Sequence, residues 1–439
     1  MKKRMLWLLM LILLTGCGAQ TPALPTATPR PGLSARPTAS PVTPSPAPSA
    51  SAVPSPVTPP GCSARSVAAA QRLLADMTLE ERIGQMLFLA FRQDEEGKPL
   101  RELTGAALEE LRAIQPGGVI LFGENIETVA QVRRFIRVAQ GNSRCPPFIA
   151  VDQEGGKVQR IKHTAAIPAT DVPPMLEVGR AGDPELTREV GRVLGRELAV
   201  FGFNMNFAPV CDAFTNPQNT VIGDRAFSSD PQQAAGQALA LAQGLEAENI
   251  LPVCKHFPGH GDTREDTHEG LATSRSTLAQ LRQRELIPFQ AQIDAGAQAI
   301  LVAHISLPEV TGSDLPASLS PQIITGLLRE EMGFQGLVIT DAMDMGAVAR
   351  RYGSGEAARR AVEAGADMVL MPQDPGAAFA ALVEAARSGE LSRERIDASV
   401  LRILALKLEY GLDQPGELPD AGLLGCPAHR AAVEAVAGR

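Results

Sequence analysis

The 439-residue chain is poor in aromatic side chains: 4% in all, with two tyrosines and a single tryptophan, Trp7. Indole rings supply the flat platforms of extended ligand grooves, so their scarcity weighs against a long groove and favours a small polar pocket. Excess positive charge is missing too, since 41 Lys and Arg face 49 Asp and Glu, a formal net charge of -8. A nucleic-acid partner needs a basic surface to neutralise phosphate, so that class is set aside. The apolar run from Met5 to Leu14 is too short to span a bilayer stably.

That run has another reading. Lys2, Lys3 and Arg4 precede it, the charge flank of a signal peptide, and it ends in Leu14, Thr15, Gly16 and Cys17. The ending resembles a bacterial lipobox, which implies that residues 1–16 are a lipoprotein signal peptide and that Cys17 carries diacylglycerol on its sulfur. The protein would then be anchored to the cell membrane outside the cytoplasm, two or more acyl chains holding where one does not. An ordinary cleaved signal with an incidental Cys is the alternative. Residues 17–61 are expected to be a disordered, lipid-anchored linker, because 13 of the 35 prolines fall in residues 21–60 among Thr, Ser and Ala. In polyproline geometry such a tether reaches at most about 120 Å.

Five cysteines follow Cys17, an odd number that cannot all pair. An exported setting permits disulfides. Cys62 and Cys145, outside the predicted strands, are the first expected bond; Cys211 and Cys254, at the ends of consecutive strand runs, read as small buried residues or a second pair.

Eight apolar runs suit buried strands: QMLFLAF, GVILF, FIAV, MNFAPV, ILPVC, AILVAHI, GLVIT and MVLMP. Between them lie segments of helical periodicity or composition, among them 185–201, 233–248, 278–295, 354–364 and 376–388, most followed by Gly or Pro. The alternation predicts an α/β fold, a (β/α)8 TIM-type barrel over residues 62–412. Residues 156–204 are its longest departure, with an ordered loop expected over the barrel mouth.

The richest stretch is KHFPGHGDTREDTHEG, residues 255–270. It follows ILPVC, so a strand is expected to stop where the polar cluster begins, placing reactive groups at a strand's C-terminal end. Pro258, Gly259 and Gly261 forbid a helix, so His256 and His260 do not share a helical face as zinc-ligating histidines would. A loop-built metal site and a solvated turn are the competing readings. Asp266 and His268, two apart, have the spacing for a carboxylate that orients and polarises an imidazole, leaving it free to exchange a proton near neutral pH. The covalent partner is sought in GLVITDAMDM, where a strand run ends at Asp341; Asp344 is close by, and spacing does not choose between them.

KHFPGHGDTREDTH, together with AVDQEGGKVQR at 150–160, IGDRAFS at 222–228 and VITDAMDM at 338–345, resembles glycoside hydrolase family 3 in its β-N-acetylglucosaminidase branch. MTLEERIGQM and GGVILFGENI stand in the expected order, and the resemblance runs from Met77 to Leu412. It implies a retaining exo-enzyme releasing terminal β-linked GlcNAc, with peptidoglycan fragments as the source. Asp341 would be the nucleophile, His268 the acid/base and Asp266 its dyad partner, while Asp152, Arg160, Arg225, Lys255 and His256 match positions that hold the sugar. A retaining glycosidase needs one group to protonate the leaving oxygen and a carboxylate to trap the oxocarbenium-like centre. Because neutral imidazole does not repel an anion, phosphate could replace water, so a phosphorylase is one alternative. A β-glucosidase or β-xylosidase and a muropeptide-binding lipoprotein without turnover are the others.

Each binding residue also has a plain structural reading. Asp152 could cap the segment after Gly156, and Arg160 and Arg225 could be surface ion-pair partners. Glu154 could be scaffold or contact; His304 could face the pocket or be a core histidine bonded to a neighbouring carbonyl, and it is left out of the site. No metal or cofactor is expected. The expected partners are a small glycan or muropeptide and, through the anchor, a membrane, with the protein a monomer. Residues 413–439 form a short tail; many members of the family continue into a second α/β domain, and HRAAVEAVAGR looks like its opening helix.

Overall fold

Short runs of Val, Ile, Leu and Phe form parallel strands buried on both faces, where near-continuous apolar sequence is required. The chain divides into two units, Met1–Ala52, which lies outside the described residues, and Val53–Arg439. The computed structural model describes residues 58–162, 164–263, 271–414 and 416–437. One parallel sheet runs, in spatial order, Val369–Leu370, Leu87–Ala90, Gly118–Ile120, Phe148–Val151, Met205–Asn206 and Leu251–Pro252. A second joins Leu337–Thr340, Ala299–Val302 and Cys254–Phe257, also in parallel. Isolated parallel bridges, Val210 to Lys255 and Ile339 to Met368, lie where the edges of the two sheets meet.

The strands occupy the predicted runs, with one correction. The strand containing Leu251 and Pro252 resumes after Val253 and continues through Cys254–Phe257, so Lys255 and His256 are strand residues and not the start of a loop. Both are buried in spite of their polarity, because each finds partners at the sheet's C-terminal end, as described below.

Helices cover the sheets and begin at recognisable caps. Asp183 and Asp230 cap Pro184–Phe201 and Pro231–Ala247 with proline in the first turn. The single helix expected over 278–295 is instead two, Leu278–Gln283 and Leu286–Asp294. Pro288 explains the break, since its ring would clash with the carbonyl of Arg284 in a continuous helix. Among the described residues no helix is long and apolar enough to cross a membrane.

All five described cysteines are free, and the expected Cys62–Cys145 bond is absent. Cys62 precedes helix Ala64–Ala75 near Glu409, and Cys145 lies near Lys407. Those two charged residues stand two apart on helix Arg393–Glu409 and therefore on different faces. Burial pushes the Cys62 thiol up to about 12, aided by Glu409. Helix Pro427–Ala437 packs against Pro184–Phe201, burying His429, Val433 and Val436.

Candidate active site

Four strand ends build one pocket. Asp152 follows strand Phe148–Val151, Lys255 and His256 lie in Cys254–Phe257, and Asp341 follows Leu337–Thr340. Asp212 lies in the segment after Met205–Asn206, where Cys211 N donates to Lys255 O at 2.6 Å. The cavity has a volume of about 390 Å³. Asp152, Arg160, Arg225, Lys255, His256 and Asp341 all line it, so six of the predicted site residues converge. Asp266, His268 and Cys17 lie outside the described residues.

Glu154 organises the cation side. It accepts from Arg225 Nε at 2.7 Å and Nη2 at 2.8 Å, and Lys255 Nζ stands 2.7 Å from its Oε1. Burial alone would raise the Glu154 carboxyl, but Arg225 and Lys255 hold it well below the usual carboxylate range. Lys255 Nζ also donates to Asp152 Oδ1 at 2.6 Å. Asp152 is therefore a pocket carboxylate and caps no helix. Arg225 is not a surface partner either; it is bound bidentately, the geometry that fixes a guanidinium's orientation.

His256 is positioned from behind. Its Nδ1 lies 2.7 Å from Asp212 Oδ2 and its Nε2 3.3 Å from Arg225 Nη2. A guanidinium can only donate, so Nε2 accepts and Nδ1–H donates to the carboxylate. Asp212 Oδ1 accepts from His260 N at 2.6 Å. Burial works to raise Asp212, yet His256, His260 and that backbone donor bring it below its ordinary value. His256 follows Lys255 directly and both line the same cavity; the peptide between them is cis.

Asp341 is another carboxylate lining the cavity. Its N–H donates to Val302 O at 2.8 Å, and its Oδ1 accepts from Ala342 N at 2.9 Å. Burial would raise it, but His304, His256, the Ala342 N–H and Lys255 lower it, so it is ionised well into the acid range. Asp344 is exposed at the rim, and its carboxyl is raised by burial of its surroundings and by Asp341, against the pull of Arg92. His304 is fully buried: its Nε2 donates to Ala342 O at 3.0 Å and Ser318 Oγ is 2.6 Å from its Nδ1. It is the carbonyl-bonded core histidine, and it braces the segment that carries Asp341.

At the mouth, Phe122 lies between two guanidiniums, Arg92 at 4.4 Å and Arg160 at 5.7 Å from its ring centroid. Arg160 reaches Asp152 at only 3.9 Å, and among the described residues its buried Nε has no hydrogen-bond partner. It thus keeps donor capacity beside the cavity. Sequence reading missed Asp212, His260, Arg92 and Phe122. Asp212 was discoverable, since it follows the MNFAPV run as Asp152 follows FIAV. Arg92 and Phe122 end or follow strand runs but carry no motif that separates them from ordinary surface residues.

A cavity at the C-terminal ends of parallel strands, lined by Asp341 and by two cations, Arg225 and Lys255, held on the buried carboxylate of Glu154, defines an α/β enzyme with a pocket for one small polar group. Residues 78–406 match the glycosyl hydrolase family 3 N terminal domain, and the chain belongs to that family. It is 33% identical over 392 residues to Beta-hexosaminidase A of Pseudoalteromonas piscicida, covering 81% of this chain and 65% of that protein. Beta-hexosaminidase of Nitrosospira multiformis is 35% identical over 343 residues, 77% of this chain and 93% of its own. Among solved structures, a glycoside hydrolase family 3 beta-N-acetylglucosaminidase from Paenibacillus sp. superposes with a TM-score of 0.76 at 36% identity, over 82% of this chain and 68% of that one.

Proposed function

We propose that the chain is an exo-acting, retaining β-N-acetylglucosaminidase that removes terminal β-linked GlcNAc, with peptidoglycan fragments as the source. The observation that carries this reading is Asp341, held ionised on one wall of a cavity of about 390 Å³ whose other walls present Asp152, Arg225, Lys255 and His256. The family membership and the hexosaminidase relatives support the substrate class.

In this mechanism the sugar hydroxyls and N-acetyl group bind Asp152, Arg160, Arg225, Lys255 and His256. The Asp341 carboxylate attacks the anomeric carbon as the glycosidic oxygen leaves with a proton from His268, oriented by Asp266, giving a glycosyl-aspartate ester. Water then gives its proton back to His268 and displaces Asp341, so the anomeric configuration is retained. The two sheets, bridged at both edges, are read as one (β/α)8 barrel. From its sequence the segment ahead of it is read as a signal peptide ending before a lipidated Cys17 and a Pro-rich tether, anchoring a monomer at the outer side of the cell membrane.

The test is chromophore release from aryl β-GlcNAc, compared with aryl β-glucoside and β-xyloside, each with and without phosphate. Fast release from the GlcNAc substrate alone, independent of phosphate and lost in Asp341→Gly, is expected. No release, with Asp341→Gly indistinguishable from wild type, would end the reading. A phosphate requirement would make it a phosphorylase.

A further inference from the structure

The sugar-binding side of the pocket hangs on a hairpin. Gln153–Gly155 pairs antiparallel with Val158–Gln159, and the first of these strands carries Glu154, which holds Arg225 and Lys255. The hairpin rests in turn on the strap of residues 168–174. Gly156 N donates to Val172 O at 2.9 Å, and Val172 N donates to Gln159 Oε1 at 3.1 Å. Gly155, at a φ of +110°, lies so close that an added Cβ would stand 2.8 Å from Pro173 O. Displacement of the strap therefore displaces the hairpin.

What holds the strap is a buried carboxylate, Glu197, on helix Pro184–Phe201. Its Oε1 accepts from Thr170 Oγ1 at 2.5 Å and Gly425 N at 2.8 Å, and lies 3.0 Å from His429 Nδ1. Its Oε2 accepts from Thr170 N at 3.0 Å. Three separate chain segments thus meet on one side chain. The C-terminal segment lies flush against the strap: Gly425 has a φ of +55°, and a Cβ there would come within 2.0 Å of Pro168 O. A carboxylate is costly to bury unless its lone pairs are filled, and this one is filled by the strap and the C-terminal segment.

We infer that Glu197 is a positioning residue for the sugar pocket, acting through Thr170 and the strap on the Glu154 hairpin, with the segment Gly425–His429 as its clamp. The inference rests on the proposed activity only for its readout. Replacing the carboxylate by an amide puts an NH2 donor against the donors gathered there, so the strap shifts while Asp341, carried by strand Leu337–Thr340 and bonded to Val302 O and Ala342 N, does not. A misplacement approaching 1 Å can cost up to 100-fold.

The experiment measures kcat and KM on aryl β-GlcNAc, with the inhibition constant of free GlcNAc, for wild type, Glu197→Gln, Thr170→Ala and, as a control on the exposed face of the C-terminal helix, Glu434→Ala. Expected for Glu197→Gln is a KM and an inhibition constant both raised about tenfold, with kcat within about twofold. Thr170→Ala shows the same split with a smaller factor, and Glu434→Ala matches wild type. Thr170→Ala decides the matter if Glu197→Gln does not melt cooperatively. A folded variant pair with wild-type KM and inhibition constant, or a loss confined to kcat, overturns the inference. Inactive wild-type protein would instead sink the proposed function.

Discussion

Strand Leu337–Thr340 has a buried aspartate near its start and a half-buried one just past its end, and their surroundings are built differently. At its start, Asp367 accepts from Val338 N at 2.9 Å, Arg329 Nη2 at 2.6 Å, Arg402 Nη1 at 3.3 Å and Ser399, with Arg395 3.8 Å away. Asp367 is fully buried and no cavity adjoins it among those described. At its end, Asp341 accepts a backbone hydrogen bond from Ala342 and lines the pocket, while Arg160, which also lines it, keeps an Nε unpartnered among the described residues. Saturated charges serve structure; charges left with capacity toward a cavity serve a ligand.

The sharpest way to break the comparison is at Asp341. Asp341→Asn is expected to lower kcat on the order of 1,000-fold or more, with a melting temperature at or slightly below wild type, since the charges around Asp341 outweigh its burial and favour the ionised form in the fold. Steady-state kinetics alongside thermal melting checks this, and a variant that unfolds while its surviving fraction keeps wild-type kcat would erase the distinction.

Asp367→Asn should do the reverse. It leaves three buried guanidiniums short of a counter-charge and costs about 3–5 kcal/mol, read by urea denaturation, while kcat/KM of the folded enzyme stays within about threefold. The pH sign follows from the lowered carboxyl: burial opposes ionisation, but Arg329, Arg402 and Arg395 outweigh it. Its contribution is complete above the unfolded aspartate value of about 4 and is lost as pH falls through the lower folded value. The variant should therefore show a shallower loss of stability in acid than wild type.

Lys407 gives a smaller effect at the same closed end. It donates to Gln85 Oε1 at 2.6 Å, sits 5.6 Å from the Phe148 ring centroid, and is pushed down to about 7 by burial. A lysine lowered on folding is protonated in the unfolded chain and neutral in the fold between about pH 7 and pH 10, so stability rises with pH across that window. Lys407→Met should flatten that slope without changing KM; an unchanged slope in pH-dependent denaturation would mean the amine is not the source. Least of all, Arg359→Ala breaks the i,i+4 surface pair with Glu363 and is expected to shift stability by roughly 0.5 kcal/mol or less with no kinetic change. A kinetic effect there would show that surface charge reaches the pocket.

Much of the fold was legible because buried parallel strands demand compact apolar runs, and each of the eight runs contains an observed strand. FIAV and GLVIT also pointed to the residues that follow them, Asp152 and Asp341. The misses have a common cause. Lys255 and His256 look like loop residues by polarity, and only the carboxylates brought to them from 103 and 44 residues away, Asp152 and Asp212, make them tolerable inside a strand. Cysteine pairing failed for the same reason: Cys62 and Cys145 suited each other by position in the chain, but separate faces of one helix came between them.

By itself the sequence determined which segments form strands and helices, and that carboxylates and cations gather where strands end, because these follow from side-chain periodicity and local backbone chemistry. Only the tertiary structure decided which carboxylate is saturated and which faces a cavity, and which histidine donates to which partner. It also joined Glu197 to Gly425 and His429 across 228 and 232 residues. Those are questions of how burial and opposing charge balance at one point in space, and that balance depends on neighbours that sequence distance does not reveal.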